Sequence, residues 1–298
     1  MLCKCKSGKR YEDCCKKYSA ILNITPEQEN VQPLLLEWLE IYSSPIANSF
    51  LTKSRKYLHR ISVYLDSVLT RYLNLGLPDT GIYPENVILW EPLVVFDSKD
   101  KQELYDAFGA IKNNILLTIQ ASVSCLSLCL YMQSGTLLRS AIESSMVLLD
   151  IIENEEQLEL LLEDKYSTNS LLTRVKNYVP KIIIKWYGHF TKNFSHFGPL
   201  HVAPHMPRKC YPDNYILVTG IENVNRAIIC YSIILERLYY NYTSEPFFWK
   251  RKEADLVFQE DNKVFDWHKA IGQELVSEFP PSEKKEGMFY TDKKYKPK

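Results

Sequence analysis

Ile115-Leu116-Leu117-Thr118-Ile119-Gln120-Ala121-Ser122-Val123-Ser124-Cys125-Leu126-Ser127-Leu128-Cys129-Leu130-Tyr131-Met132 is the longest apolar stretch of the chain, and its reading decides the fold. Its length approaches that of a membrane span, which needs about 20 apolar residues. Thr118, Gln120, Ser122, Ser124 and Ser127 interrupt it too often for that. The stretch is therefore expected to be a buried core helix running from about Lys101 to Met132. A second helix is expected from Thr136 to Ile152, with Gly135 between them as a hairpin turn or kink. Cys125 and Cys129, one turn apart on the first helix, should behave as small apolar core residues.

Helical spacing continues outward from this block. Toward the C-terminus, Ile221, Val224, Ile228, Ile229, Ile233, Ile234 and Leu238 recur on a helix expected over Tyr215–Tyr242. Shorter helices are expected over Leu171–Tyr178 and Lys181–Phe190, and one near Asp261–Glu278. Toward the N-terminus, a helix over about Phe50–Leu75 carries Tyr57, Leu58, Ile61, Leu65, Val68, Leu69 and Tyr72, ending at Gly76 and Pro78. Leu35, Leu36, Trp38, Leu39 and Tyr42 fit one earlier face, which Pro45 interrupts. Seven acids and no base fall between Asp150 and Asp164, interleaved with leucines, as on the solvated face of an amphipathic helix. Segment 87–96 is expected to form short strands or a packed loop, and 193–214, with four prolines, a loop. The predicted fold class is all-α: a multi-helix bundle with a small N-terminal zinc knuckle. Residues 1–20 form the knuckle, 30–245 the bundle with its core in 100–245, and 246–298 an extension with one helix and a lysine-rich tail.

Composition narrows the function classes. The 298 residues are 46% apolar and 24% charged, enough to bury a core and stay in solution. Thirty-six basic residues balance thirty-six acidic ones, so no global field draws the chain to nucleic acid or membrane. Ten glycines argue against a glycine-rich phosphate-binding fold. No apolar run follows Met1-Leu2, so no secretory signal is expected, and the location read from the sequence is cytoplasmic. Clustered thiols in a reducing compartment are more often metal ligands than disulfides.

Four of the eight cysteines fall within thirteen residues, as Cys3-x-Cys5-x8-Cys14-Cys15. Zn²⁺ takes four ligands at tetrahedral corners and favours thiolates, which shed their protons on binding. Ser7-Gly8 lies where the chain must reverse, since glycine tolerates positive φ. The segment also holds Lys4, Lys6, Lys9, Arg10, Lys16 and Lys17 against Glu12 and Asp13, and is too short to build an apolar core. Metal binding of this kind contributes about 10–16 kcal/mol, which suffices to fold it.

Cys3-Lys4-Cys5-Lys6-Ser7-Gly8-Lys9-Arg10-Tyr11-Glu12-Asp13-Cys14-Cys15 resembles the SEC-C zinc-binding motif. Proline and glycine are common in that motif where this chain has Lys4 and Lys6, which implies a looser first turn. The resemblance implies Zn²⁺ on Cys3, Cys5, Cys14 and Cys15, and an accessory module that docks on protein, ribosome or nucleic acid. Lys4, Lys6, Lys9 and Arg10 would then face RNA phosphates or an acidic partner. The bland alternative is a clip that anchors the N-terminus.

In the body, Arg139 and Glu143 are spaced i, i+4 on one helix face, within reach of each other. Three of the six histidines, His196, His201 and His205, fall in the loop Phe194-Ser195-His196-Phe197-Gly198-Pro199-Leu200-His201-Val202-Ala203-Pro204-His205. Neutral imidazoles there can serve as general bases, bind substrate, or join Cys210 on a metal. An Arg-x3-Glu helix followed by a short Phe-Ser-His segment is similar to bacterial helical domains related to the HEPN superfamily. That likeness implies an RNA-cleaving toxin or antiviral effector, as in toxin–antitoxin systems, or an inactive relative. Arg139 would be the phosphate clamp, Glu143 its positioning partner, His196 the base and His201 the second choice. The usual arginine–histidine signature is absent; its nearest approach, Arg55-Lys56-Tyr57-Leu58-His59, is one residue short and on another helix. The sequence thus leaves two leading functions open, an RNA- or ribosome-directed protein, catalytic or not, and a non-catalytic adaptor that docks proteins. A metal-dependent hydrolase using the histidine loop ranks below them, because no carboxylate-rich ligand motif flanks those histidines. Helical bundles with apolar faces often dimerise, so a homo-oligomer is also open. No membrane partner is expected.

Overall fold

The computed structural model describes residues 2–25, 35–36, 45–73, 101–194, 214–240, 243, 245–253 and 255–280. They contain α1 (Lys16–Ile21), α2 (Pro45–Leu73), α3 (Lys101–Ser127), α4 (Tyr131–Glu153), α5 (Glu155–Leu162), α6 (Leu171–Val175), α7 (Lys181–Phe194) and α8 (Asn214–Leu238). A hairpin of β1 (Trp249–Lys252) and β2 (Asp255–Phe258) follows, and then α9 (Lys263–Glu278). The expected all-α bundle is what forms, with this hairpin the one sheet among the described residues. No helix among them is long and apolar enough to cross a membrane.

Helix α8 is buried along nearly its whole circumference, and most of its residues are apolar, so other helices surround it. Ile221, Val224, Ile228, Ile229, Ile233, Ile234 and Leu235 are all fully buried. Helices α2, α3, α4 and α9 pack around it, and α4 in turn carries α3, α5, α6 and α7. One core cluster runs from Tyr18 to Leu275, so α1 and α9 share the interior of the bundle. Pro45 opens α2 at the first helical position, where a missing N–H costs nothing. Asn262 caps α9 by accepting from the backbone N–H of Val264 and Phe265.

The break between the two central helices lies earlier than expected. Helix α3 ends at Ser127 and α4 begins at Tyr131, so Gly135 is inside α4. Cys129 takes the left-handed position (φ 62°). Leu130 N–H bonds to Cys125 O at 2.9 Å and Cys129 N–H to Leu126 O at 3.0 Å, the Schellman pattern in which glycine is usual. Cys125 and Cys129 are half-buried in consequence, and Cys129 belongs to the turn. Gly135 serves packing instead. A Cβ there would meet the Phe194 ring at 2.2 Å, so its absence lets α7 close on α4.

Two buried carboxylates were invisible as such in the pattern. Asp150 was expected on a solvated face but is fully buried. It binds Arg174 Nε and Tyr166 Oη, both at 2.7 Å, and Asn154 Nδ2 at 2.8 Å, tying α6 and its approach to α4. Glu236 on α8 accepts the backbone N–H groups of Phe247, Phe248 and Trp249 at 2.8, 2.6 and 2.9 Å. That carboxylate docks the hairpin, whose strands are only four residues each. The expected strands or loop at 87–96 and the tail of 282–298 lie outside the described residues, as does most of the loop expected over 193–214, whose ends at 193–194 and 214 are instead helical, in α7 and α8.

Replacing a helical glycine by alanine gains about 1 kcal/mol of propensity where space allows. Gly188 has nothing within 4 Å of an added Cβ, so Gly188→Ala should raise stability by about 0.5–1 kcal/mol. Gly135→Ala should lower it by about 1–3 kcal/mol, because the clash with Phe194 outweighs the propensity. Urea unfolding midpoints of the two variants check both signs.

Candidate metal centre

The four cysteines of the N-terminal segment come together. Cys3 N–H bonds to Lys9 O at 2.8 Å and Lys6 N–H to Cys3 O at 3.1 Å, closing a turn that presents the Cys3 and Cys5 thiols. The expected looseness at Lys6 takes a specific form: Lys6 sits at φ 56° and Gly8 at φ 75°, both left-handed. Glycine adopts that region without strain and lysine does not. An isolated bridge between Leu2 and Arg10 brings the chain back. Cys14 N–H bonds to Tyr11 O at 3.1 Å, and Cys15 leads directly into α1.

All four thiols are buried, and their sulfurs lie within 4.8 Å of one another. Cys5 Sγ is 3.5 Å from Cys14 Sγ, and Cys14 Sγ is 3.9 Å from Cys15 Sγ. Metal–thiolate bonds of about 2.3 Å place tetrahedral sulfurs roughly 3.8 Å apart, so the cage has the right size for such an ion. Without the ion, a hydrogen bond from Cys15 holds Cys5 ionised, down to about 4. Burial pushes Cys3 up to about 11, and the bond given to Cys5 together with burial raises Cys15. Cys3 and Cys15 thus keep protons that an ion would displace.

The surroundings fit a negatively charged cage. Arg60 on α2 is 5% exposed, and its Nη2 lies 3.6 Å from Cys14 Sγ. Its guanidinium rests 4.0 Å over the Tyr18 ring and 3.2 Å from Glu274 Oε1 on α9, while its Nε makes no hydrogen bond. Lys17, Lys56 and Arg60 share the carboxylates Glu274 and Glu278, three cations against two anions. A divalent ion on four thiolates carries a formal charge of about −2, which offsets the surplus. Tyr18 Oη also donates to Glu274. The knuckle is therefore seated on α2 and α9 through Arg60, Tyr18 and Glu274. Sequence reasoning missed Arg60, and no local signal marks it, because its partners come from three separate segments.

The other candidate residues divide. Lys4, Lys6, Lys9 and Arg10 are exposed on the knuckle, but Arg10 pairs with Asp13 at 3.1 Å. Arg139 and Glu143 meet at 3.2 Å, partly buried, with the guanidinium 5.9 Å from the Tyr187 ring centre. His196 and His201 lie outside the described residues, as do His205 and Cys210. His59, in the imperfect arginine–histidine spacing, is buried beside Cys15 and Trp267.

Another polar cluster went unread in Glu222-Asn223-Val224-Asn225-Arg226. Arg226 binds Glu222 at 3.2 Å and Asn223 at 3.0 Å. Asn225 Nδ2 donates to His268 Nδ1 at 2.9 Å, which requires a neutral imidazole with its proton on Nε2. Burial, aided by the Arg226 charge, lowers His268 to about 4. The same two causes lower His189, with Lys192 adding to them.

Neither a family model, nor a curated protein, nor a solved structure matches the chain. Fold and site together define a mostly helical protein whose N-terminal cysteine knuckle can hold a tetrahedral ion.

The protein should bind one divalent ion per chain by elemental analysis, and Cys14→Ser should abolish it. Arg60→Gln should keep the four ligands yet lose about 10–100-fold in metal affinity, measured by chelator competition. For His268, the folded value lies below the ordinary 6.5, so its contribution is complete above about pH 6.5 and is lost as pH falls toward 4. Between pH 7.5 and 5, wild type should lose about 2 kcal/mol more than His268→Gln in urea unfolding.

Proposed function

We propose that this chain is a zinc protein directed at RNA, free or within the ribosome, with the knuckle as its recruiting element. Zinc is the assignment because four thiolates in a tetrahedral cage suit it best among common divalent ions. The observation that carries the reading is local charge. The whole chain is neutral, yet Lys4, Lys6 and Lys9 stand exposed around one cage. Lysines held in fixed positions by a metal clasp are suited to phosphates, whose capture releases counterions. The SEC-C likeness of Cys3–Cys15 supports the same reading.

A second reading gives the body ribonuclease activity, with Arg139 as clamp, Glu143 holding it and His196 as base. One observation favours it: the Thr136 hydroxyl, 2.9 Å from Met132 O on its own helix, also lies 3.2 Å from Phe194 O and so brings the end of α7 against α4. Phe194 precedes His196 by two residues, and Thr136 lies one helical turn before Arg139. The rival remains an adaptor in which knuckle and helices dock proteins.

Metal-loaded protein should bind total cellular RNA with an affinity that falls steeply as salt rises, and Lys4→Glu/Lys6→Glu/Lys9→Glu should weaken it by at least about tenfold. Salt-independent or absent RNA binding, with a defined protein complex instead, would favour the adaptor. Discrete cleavage lost in both Arg139→Ala and His196→Ala would establish the ribonuclease; cleavage surviving in both would remove those residues from its site.

A further inference from the structure

The knuckle lysines do not end at the knuckle. Between the Cys5–Lys9 turn, α1, the first third of α2 and the last half of α9 lies an open cleft of about 1090 Å³. Lys6, Lys9, Lys17, Lys53, Arg55 and Lys56 line it, with Glu274 and Glu278 as its acids. Six cations against two carboxylates give +4, and the metal-loaded cage beside them, at about −2, still leaves the cleft positive in a chain whose net charge is zero. Both carboxylates are engaged within the walls. Glu274 takes Tyr18 Oη, Lys17, Lys56 and Arg60, and Glu278 takes Lys56 and the Tyr57 hydroxyl, the latter at 2.6 Å. Their charge is directed at the docking of the knuckle, so the cleft presents a positive face to solvent.

We infer that this cleft, shared by the knuckle, α2 and α9, is where the RNA backbone binds. The inference rests on the RNA-directed reading above and adds α2 to its site. Focusing of like charge between low-dielectric walls strengthens the attraction for a polyanion beyond that of the same lysines on a flat surface. The chemistry of the walls also sets what is read. Among the described residues Tyr18 is the only aromatic one in the lining, and it is 4% exposed, its ring lying under Arg60 at 4.0 Å and Lys17 at 4.7 Å. The described residues present no ring for a base to stack on, which sequence-tolerant single-strand binders use. The cleft therefore grips phosphates and carries little base preference.

The test uses full-length, metal-loaded protein and fluorescence anisotropy with a short labelled RNA duplex and a short labelled single strand, across a salt series. Lys53→Glu should weaken both probes by at least about fivefold and reduce the salt slope by about 1. Lys53→Glu/Arg55→Glu should go further in both respects. Lys250→Glu/Lys252→Glu makes the same charge change as that double variant on the exposed β1 strand, and should leave the slope near wild type. Circular dichroism and metal content establish that each variant is folded. If wild type binds and only the knuckle variants lose affinity, or the α2 and β1 variants behave alike, the cleft is not the site. If wild type binds neither probe, the RNA-directed reading itself falls. Equal binding of a labelled DNA duplex supports a backbone site, whereas strong preference among RNA sequences of one length overturns it.

Discussion

Arg60 carries a full positive charge into a place that water scarcely reaches, and much of the N-terminal architecture is arranged around that fact. An isolated buried charge costs several kcal/mol, so it persists only where opposite charge and hydrogen bonds meet it. Arg60 finds them in three separate parts of the chain: the Cys14 sulfur of the knuckle, the Tyr18 ring of α1 and the Glu274 carboxylate of α9. The cage gains a positive neighbour for its thiolates, and Arg60 of α2 and Glu274 of α9 gain partners from the knuckle and α1. Neither arrangement is complete alone. The knuckle is thus part of the wall of the bundle, though its sequence is too short to fold by apolar burial.

The rest of the body obeys simpler rules. Helix α8 is mostly apolar and is surrounded; α4 is largely apolar on the faces that meet α3, α7 and α8. Buried serines bond back to their own helices, as Ser54, Ser145 and Ser232 do, whereas two buried carboxylates join elements distant in sequence. Asp150 gathers Arg174, Tyr166 and Asn154, and Glu236 satisfies three successive backbone amides of the hairpin approach. These carboxylates contribute specificity of docking, because the wrong neighbour would leave a charge unpaired.

Period and spacing made the long helices and the cysteine cage legible in the sequence, since both depend on residues near one another in the chain. Features set by distant partners were not. Gly135 looks like a turn residue until the Phe194 ring is placed against it, and the true turn uses Cys129, which has no turn signature. Asp150 looks like one more solvated acid until Arg174 arrives from another helix. Arg60 looks like an ordinary surface base of an amphipathic helix, and its pairing spans 46 residues to Cys14 and over 200 to Glu274. The lysines of the knuckle were visible as a cluster, but not that Lys53, Arg55 and Lys56 continue it across a cleft. Chemistry carried by one segment can be read locally; chemistry assembled at an interface cannot.

The central claim is that the metal cage and the helical body form one cooperative unit through Arg60. Amide hydrogen exchange with and without the ion tests it most directly, read peptide by peptide in the intact chain. The account predicts that stripping the metal with a chelator raises exchange in residues 2–25 and also in the segments of α2 around Arg60 and of α9 around Glu274. Faster exchange confined to residues 2–25, with α2 and α9 unchanged, would contradict it and leave the knuckle an independent appendage.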